Sequence, residues 1–300
     1  MNLPSIGIIG NGFVGGAIAD GFKHYVPSCK VYDVDPMRTV DNYFDTIAQD
    51  ILFVCLPTPM KSNGRVDISI VDKALTQLSN ALQEDDKPVI IKSTIPPEDL
   101  RMLAVDNIPE LHLIYSPEFL TERTANLDFQ QSNRLIFGQL LSDNPSRFDS
   151  VDRMAHNMEM INELFEFRFP KVPIIWTSLE EASLIKYFTN VFFATKISLF
   201  NEFALIAEQY GLVPDDVIGH VLLDQRIGRS HWQVPGHDGQ RGFGGHCFPK
   251  DLNGYMHMAE DVEVDPLMGK ATWVTNDRVR KSRDWEKDKG RAVSEDFEEK

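Results

Sequence analysis

The chain reads IGIIGNGFVG from Ile6 to Gly15, and this stretch decides the fold. Its four leading apolar residues predict a buried β-strand, and the residues after Gly15 predict a helix. The spacing of Gly10, Gly12 and Gly15 allows a tight turn, a close backbone approach to a pyrophosphate, and close packing of helix on strand. The start of the helix presents free N–H groups to an anion. The stretch therefore predicts a dinucleotide-binding βα unit.

An acidic residue follows at the end of the next predicted strand. Asp33 lies about twenty residues after the glycine loop, where a carboxylate accepts hydrogen bonds from the adenosine ribose and repels a 2′-phosphate. This position favours NAD over NADP. Arg38 is near enough to hold the extra phosphate and so to weaken that preference. The alternative is that Asp33 or Asp35 only caps a turn.

Short β-branched apolar runs alternate with longer amphipathic stretches over the first 177 residues. This is the pattern of βα units around a parallel sheet. The predicted strands are Ile6–Ile9, Lys30–Asp33, Ile51–Leu56, Pro88–Ser93, Leu111–Tyr115, Arg134–Phe137 and Pro173–Thr177. We therefore predict an α/β fold in which residues 1–177 form an NAD-binding, Rossmann-like doubly wound parallel sheet.

The pattern becomes helical from Ser178 onward. Apolar residues then recur every three or four positions, which predicts one helix of about 30 residues, roughly 45 Å long. A helix of that length commonly links domains or builds a dimer interface. A second helical stretch is predicted from about Leu252 to Val279. We expect residues 178–280 to form a central all-helical dimerisation domain, and residues 281–300, nearly all charged or polar, to be a disordered tail.

Composition excludes several classes of protein. With 30 basic and 45 acidic residues the net charge is −15, which argues against a nucleic-acid partner. No apolar run approaches the roughly 20 residues of a membrane span, and the N-terminus does not resemble a secretory signal. Three cysteines without a Cys-x-x-Cys spacing indicate a reducing compartment. We expect a cytoplasmic protein with neither a membrane partner nor a metal.

Four later segments carry a family resemblance. They are Leu56–Pro59, Lys92–Pro97, Ser116–Glu122 and Gly242–Asp251. In this order they resemble the UDP-glucose/GDP-mannose dehydrogenase family of nucleotide-sugar 6-dehydrogenases, and they are most similar to the type that acts on UDP-glucose. The resemblance covers about residues 5–280, and the cysteine-containing segment is its most specific part.

Cys247 is the candidate nucleophile. It lies in a glycine-rich loop that lets a substrate approach, and Lys250 is a nearby positive charge that favours the thiolate. The alternative is a small buried hydrophobic residue in a loop. Cys55 lies inside an apolar strand and is predicted to be core, and Cys29 precedes a strand.

The resemblance implies oxidation of the C6 alcohol of a nucleotide sugar to an acid, with two NAD per turnover. UDP-glucose is the favoured substrate. Cys247 would add to the intermediate aldehyde as a thiohemiacetal, and the second oxidation would leave a thioester for hydrolysis. Two alternatives remain open: a single-step β-hydroxyacid-type dehydrogenase, which gives Cys247 no task, and a non-catalytic protein that binds NAD or a nucleotide sugar.

The resemblance also implies residue roles. Lys186 would stabilise the developing oxyanion together with Asn190, four residues later on the same helix face, and Asp251 would position water or Lys186. Glu118 is the candidate base for thioester hydrolysis; alone, it could simply be an acid at a helix start. Thr94 would hold water. Cofactor-binding residues are expected at Gly10, Gly12, Phe13, Val14, Gly15, Asp33, Arg38, Pro57, Thr58, Thr94 and Glu122, and substrate-binding residues at Glu118, Phe119, Leu120, Lys186, Asn190, Arg226, Phe243 and Gly244.

Some features depart from the family pattern. His246 stands where relatives acting on UDP-glucose usually have Ser, and it is more typical of those acting on UDP-N-acetylhexosamines. Arg123 replaces a usual glycine. The resemblance ends near Arg280, whereas family members continue into a second α/β domain that binds the nucleotide, so we expect that domain to be lacking. Arg226 would reach the sugar in the neighbouring subunit of a homodimer; the alternative is a surface salt bridge.

Overall fold

A computed structural model describes residues 3–82, 87–108, 111–140 and 151–298. The predicted first domain and the predicted tail each include terminal residues outside these ranges. The described chain divides into two compact units. Unit 1 comprises 1–58 and 68–186, and unit 2 comprises 59–67 and 187–300. The division therefore falls inside the long helix that was predicted to begin the second domain.

Unit 1 is built on one seven-stranded sheet with the order β2-β1-β3-β4-β5-β6-β7. The strands are β1 (Ile6–Ile9), β2 (Cys29–Tyr32), β3 (Ile51–Val54), β4 (Pro88–Ile91), β5 (His112–Tyr115), β6 (Leu135–Gln139) and β7 (Ile174–Ser178). All the predicted strands are present, with small shifts at their ends. The strand order reverses at β1, and ligands of such sheets bind beyond the carboxyl ends of the strands at that point.

One strand pairing differs from the predicted parallel sheet. Strands β1 to β5 run parallel, but β6 pairs antiparallel with β5, with Tyr115 opposite Gly138. Strand β7 then runs parallel to β6. The direction of a strand depends on the end at which the chain re-enters the sheet, and hydrophobic spacing carries no information about that.

Helices cover both faces of the sheet. They are α1 (Phe13–Phe22), α2 (Tyr43–Ile47), α3 (Ser69–Leu82), α4 (Pro97–Met102), α5 (Ala125–Gln130) and α6 (Val151–Arg168). On one face α2, α3 and α4 pack on Leu52, Val54 and Ile91. On the other face α1, α5 and α6 pack on side chains such as Ile8 and Phe53. Burial of the central strands β1, β3 and β4 on both faces explains why their sequences are continuous apolar runs.

The predicted long helix is present as α7 (Leu179–Gln209), with 31 residues. Ser178 caps it, because its Oγ accepts a hydrogen bond of 3.0 Å from the backbone N–H of Glu181. Glu180 and Glu181 in the first turn add favourable charge at the helix start. Unit 1 includes α7 as far as Lys186, and unit 2 begins at Tyr187.

Unit 2 adds α8 (Pro214–Val221), α9 (Phe248–Asp261) and α10 (Leu267–Val279). The helical stretch predicted to start near Leu252 as one element is therefore two helices. They are separated at Glu263, whose backbone is left-handed with φ 60°, and Pro266 follows directly before α10. A proline cannot continue the first helix, and its ring disfavours helical geometry at the residue before it. None of the helices in the described ranges has the length and apolarity that a membrane span requires.

Residues 281–298 differ from the predicted disordered tail. Their few apolar residues, Trp285, Ala292, Val293 and Phe297, are buried together with Met60. The backbone N–H of Met60 donates to the carbonyl of Ala292 at 2.9 Å, and that of Ser294 donates to the carbonyl of Met60 at 2.9 Å. A charged composition predicts disorder only where too little apolar surface is buried, and here four apolar side chains suffice.

Candidate active site

The glycine loop connects β1 to α1 as predicted. Gly10 has φ 96°, and a Cβ there would lie 2.4 Å from the carbonyl oxygen of Cys55. A Cβ at Gly15 would lie 1.9 Å from the carbonyl oxygen of Gly10, so this glycine lets helix and strand touch. A Cβ at Gly12 would point into open space. Gly12 is also the N-cap of α1, so the helix start is open to an anion without a side chain in the way.

Asp33 lies beside this loop. Its Oδ2 accepts a hydrogen bond of 2.7 Å from the backbone N–H of Asn11, and its Oδ1 accepts one of 2.9 Å from Asp35. The carboxylate thus both organises the turn and remains partly exposed. Arg38 pairs with Asp35 at 3.4 Å. The open glycine turn and the adjacent carboxylate fit the pyrophosphate and ribose of NAD, with Phe13 and Val14 in the first turn of α1.

Polar side chains join the ends of β3 and β4. The Oγ1 of Thr58, a buried side chain, donates to the carbonyl of Thr94 at 2.8 Å. The Oγ of Ser93 donates to the carbonyl of Leu56 at 2.6 Å and accepts from its N–H at 3.1 Å. Thr58 and Thr94 are therefore brought together, and Pro57 beside them is exposed.

Glu118 and Lys186 form a buried ion pair. The Nζ of Lys186 donates to Oε1 of Glu118 at 2.9 Å, with side-chain exposures of 3% and 7%. The other oxygen of Glu118 accepts from the backbone N–H of Leu120 at 2.6 Å. Phe119 completes this group, because its ring centroid lies 5.7 Å from Nζ of Lys186. Glu122 is exposed in the short helical turn that follows.

Lys92 is a site residue that the sequence reasoning left unassigned, although its motif was noted. Its Nζ donates to Oγ of Ser116 at 3.0 Å and to the carbonyl of Pro117 at 3.3 Å, directly before Glu118. Desolvation lowers the pKa of Lys92 to about 8, against a partly compensating attraction from the Glu118 carboxylate. Its place at the carboxyl end of β4, like that of Thr94, was the signal that could have identified it.

Asn190 and Asp251 form a second buried cluster, in unit 2. The Nδ2 of Asn190 donates to Oδ2 of Asp251 at 2.5 Å, and the Nζ of Lys250 donates to Oδ1 at 2.6 Å. Asp251 is fully buried, and each of its two carboxylate oxygens accepts a hydrogen bond from a side chain, as is usual for buried polar groups. Asn190 follows Lys186 by one turn of α7, as the predicted shared helix face requires.

Cys247 is the N-cap of α9, and its carbonyl accepts the first helical hydrogen bond, 2.8 Å from the N–H of Asp251. It is half-buried. The other two cysteines are poor nucleophiles. Burial raises the pKa of Cys29 to about 11 and that of Cys55 to about 12, which keeps both thiols protonated near neutral pH.

The loop before Cys247 is closely packed. Phe243 is buried, and its backbone N–H and carbonyl exchange hydrogen bonds of 2.7 and 3.0 Å with the side-chain amide of Asn276. A Cβ at Gly244 would lie 2.2 Å from Nη2 of Arg280, so a larger residue there would displace the Arg280 side chain. Both residues were predicted to contact substrate, and the structure gives their backbone a packing role as well.

Arg226, the remaining predicted site residue, lies on the surface. The side chain of Arg226 is 90% exposed and pairs with Asp224 at 2.5 Å, which is the surface salt bridge weighed as the alternative. His231 stacks on Phe193 with ring centroids 4.0 Å apart, and His246 contacts Asp288. Within the described ranges, no three His, Cys, Asp or Glu side chains are placed to hold a metal ion.

The glycine loop, the sheet whose strand order reverses at β1, and Asp33 together define an NAD-binding α/β protein. Residues 38–154 match the NAD binding domain of the UDP-glucose/GDP-mannose dehydrogenase family, and residues 180–278 match the central domain of the same family. The chain belongs to this family. The predicted family resemblance and the prediction of NAD as cofactor are thereby confirmed. The matched NAD-binding region begins after the glycine loop, which the structure supplies in its expected place.

Several known proteins are similar to the chain. A UDP-glucose 6-dehydrogenase, AglM, of Haloferax volcanii is 30% identical over 82% of the chain and 56% of that protein. A UDP-glucose dehydrogenase structure from Pyrobaculum islandicum is 25% identical, with TM-score 0.77 over 92% of the chain and 68% of its own. The chain spans about half the length of the curated relatives it matches. A 3-hydroxyisobutyrate dehydrogenase from Mycobacterium tuberculosis, 15% identical with TM-score 0.64 over 90% of this chain and 91% of its own, shares the fold alone.

Proposed function

We propose that the protein oxidises the C6 alcohol of a nucleotide sugar to the carboxylate, with UDP-glucose as the substrate. The observation that carries this proposal is Cys247, a half-buried cysteine at the start of α9 in a chain of this family. Removal of one hydride requires no thiol. An aldehyde that must be oxidised again benefits from a thiol, because the sulfur adds directly and leaves a second hydride to remove.

The steps assign one role to each buried group. NAD, when bound, takes up a hydride in each of the two oxidations. The Sγ of Cys247 forms a bond to the aldehyde carbon, and Lys186 and Asn190 donate hydrogen bonds to the resulting oxyanion. After the second oxidation the carbon is a thioester. Glu118 takes a proton from the attacking water, the C–S bond breaks, and the thiolate of Cys247 is restored with the carboxylate product.

The electrostatics of the two clusters support these roles. Lys186 is held by Glu118 at 2.9 Å, so the same pair supplies a cation for the oxyanion and a base for water. Asp251 holds the amide of Asn190 at 2.5 Å and thereby fixes its orientation. Both clusters are buried, where charges and dipoles act more strongly than in water. Thr94, held through its carbonyl by Thr58, is left to orient the water.

The substrate assignment follows the relatives named UDP-glucose dehydrogenases. His246 was the one residue that argued against UDP-glucose as the substrate, since histidine at this position is more typical of relatives acting on acetylated amino sugars. His246 lies against Asp288 instead, so its identity has a reason within the chain itself. To contact the sugar bound in the neighbouring subunit, Arg226 would have to leave its ion pair with Asp224 and pair with the substrate instead.

We also propose that the chain forms a homodimer through α7, in the cytoplasm. Four apolar side chains, Phe188, Phe192, Leu199 and Ile206, are 45–64% exposed along one stripe of this helix. An apolar stripe of this kind is typical of a surface that a partner covers. All three cysteines are free thiols, which suits a reducing compartment.

The test is a stoichiometry. Purified protein is mixed with NAD and a panel of nucleotide sugars, and NADH formed per sugar consumed is counted. Two NADH per UDP-glucose is the expected result. One NADH per sugar would favour a single-step dehydrogenase, and none with any sugar, in the presence of measurable NAD binding, would favour a binding protein.

A further inference from the structure

Residues 280–288, here termed the C-terminal clasp, contact the loop that precedes Cys247. The first contact is through Arg280, whose side chain is 2% exposed. Its Nη2 donates to Oδ2 of Asp238 at 2.8 Å and to Oδ1 of Asp284 at 2.7 Å, and its Nε donates to the carbonyl of Ser282 at 2.9 Å. Asp238 belongs to the loop, so a buried guanidinium joins loop and clasp. A buried cation must be paired in this way to be tolerated.

The second contact is to the loop backbone. The N–H of Gly245 donates to Oδ2 of Asp284 at 2.9 Å. Gly245 has φ 72°, in the left-handed region, so this bond holds a turn that favours glycine. The preceding glycine packs so closely that a Cβ at Gly244 would lie 2.3 Å from Oδ1 of Asp284. One carboxylate therefore receives both the Arg280 side chain and the loop backbone.

The third contact is to His246, the residue directly before Cys247. Its Nε2 lies against the carboxylate of Asp288. Three successive residues before the cysteine, from Gly244 to His246, thus contact the clasp.

The clasp is itself firmly held. Trp285 is 3% exposed and packs edge to face on Trp273, with ring centroids 6.0 Å apart. Glu286 is also buried and accepts from Arg283 at 3.1 Å. Because the buried residues Trp285 and Glu286 lie between Asp284 and Asp288, this segment can hold a loop in place, whereas a solvated tail cannot.

We propose that the C-terminal clasp positions Cys247 for reaction, with Asp284 and Asp288 as positioning residues that act through Gly245 and His246. Cys247 caps α9, so the path of the loop sets where its Sγ lies relative to the start of that helix. Sites of covalent catalysis lose rate when the nucleophile is misplaced by a fraction of an ångström or more. The catalytic consequence rests on the proposed function, whereas the ordering of the loop does not.

A double-mutant cycle in the 300-residue chain tests the proposal, with the unaltered protein as the reference. The variants are Asp288→Ala, His246→Ala and both together, with Asp296→Ala as the control, since Asp296 is an exposed carboxylate of the following residues. Amide hydrogen exchange in residues 242–248 is measured without substrate. We expect Asp288→Ala to raise exchange there about tenfold, Asp296→Ala to leave it unchanged, and Asp288→Ala to add nothing once His246 is alanine.

Turnover provides the second measurement. Asp288→Ala should lower kcat about tenfold and leave the KM for NAD in place, because the predicted cofactor-binding residues all lie outside residues 242–248. Equal exchange in Asp288→Ala and the unaltered protein, or additive effects in the cycle, would overturn the proposal. If Asp288→Ala does not fold, Asp288→Asn keeps the side-chain shape and serves in its place. If Asp288→Ala raises amide exchange as expected but the unaltered protein has no dehydrogenase activity, the result would support the clasp and reject the proposed function.

Discussion

Lys186 and Glu118 are bonded at 2.9 Å although they lie 68 residues apart in the chain. The bond joins α7, where the chain passes from unit 1 to unit 2, to the turn after β5. The two side chains are almost completely buried, so each charge depends on the other for compensation. The same pair supplies two groups that the proposed reaction needs.

Replacing Glu118→Gln tests this pair. We expect the free energy of unfolding to fall by about 3 kcal/mol, because the Lys186 charge remains buried without its counterion. Thioester hydrolysis should slow about 100-fold, so that an acyl adduct on Cys247 accumulates and is seen by intact mass spectrometry. The control is Glu180→Gln, which removes a partly exposed partner of Arg101. Turnover at the normal rate in Glu118→Gln would exclude Glu118 as the base.

Replacing Cys247→Ser tests the covalent step. The hydroxyl is a far weaker nucleophile than a thiolate, so we expect the yield to fall from two NADH per sugar to one or fewer. Cys29→Ser is the matched control, because burial keeps that thiol protonated and its replacement should leave the yield at two. An unchanged yield in Cys247→Ser would rule out the covalent mechanism.

Stability should depend on pH through Lys92. Desolvation lowers its pKa from 10.5 to about 8 in the folded protein. Between these two values the unfolded chain binds more protons, so stability rises with pH there, and below about pH 8 the full desolvation cost is present. Relative to Lys92→Met, the free energy of unfolding of the unaltered protein should increase by about 2 kcal/mol from pH 8 to about pH 10. Denaturant titrations at several pH values measure this difference, and a constant difference would contradict it.

Cofactor preference should depend on Asp33. We expect Asp33→Ser to weaken NAD binding about tenfold, because the ribose loses its acceptor and the turn at Asn11 loses a 2.7 Å hydrogen bond. NADP binding should change less, since a repelling charge is also removed. Fluorescence titrations with both cofactors measure the ratio. Asp50→Ser, which alters a carboxylate bonded to Ser5 away from the glycine loop, is the control. An unchanged ratio of affinities would mean that Asp33 only shapes the turn.

Dimer formation should depend on α7. Phe192 is 64% exposed, and placing a charge there by Phe192→Glu should leave a monomer of 34.1 kDa in light scattering. Val264→Glu changes a comparably exposed apolar residue, at 56%, in the loop after α9 and should leave the dimer intact. A dimer that survives Phe192→Glu would place the interface elsewhere.

Much of unit 1 could be predicted from the sequence. Strands, the glycine loop and the start of α7 at Ser178 depend on interactions between near neighbours, such as the 3.0 Å hydrogen bond from Glu181 to Ser178. Apolar periodicity reports burial directly, so each strand was found. The antiparallel direction of β6 was missed, because Tyr115 and Gly138 pair according to the path of the chain around the sheet.

For the candidate site, too, part could be predicted from the sequence and part could not. Residue type and position identified Cys247 as a candidate, and the family resemblance identified Lys186 and Asn190. Their hydrogen-bond partners could not be predicted, because Asn190 and Asp251 are 61 residues apart and meet only when the helices pack. Lys92 was passed over for a similar reason, since its partners Ser116 and Pro117 belong to a different strand end.

The sequence by itself determined the class of fold, the glycine turn and the residues capable of chemistry, because these follow from local sterics, burial and functional groups. Only the tertiary structure decided what holds those residues. Residues 281–298 show the difference most clearly, since their composition predicts disorder while Trp285 and Phe297 are buried. Whether a few apolar side chains order a charged segment depends on the surface available to receive them, and that surface exists only in the folded chain.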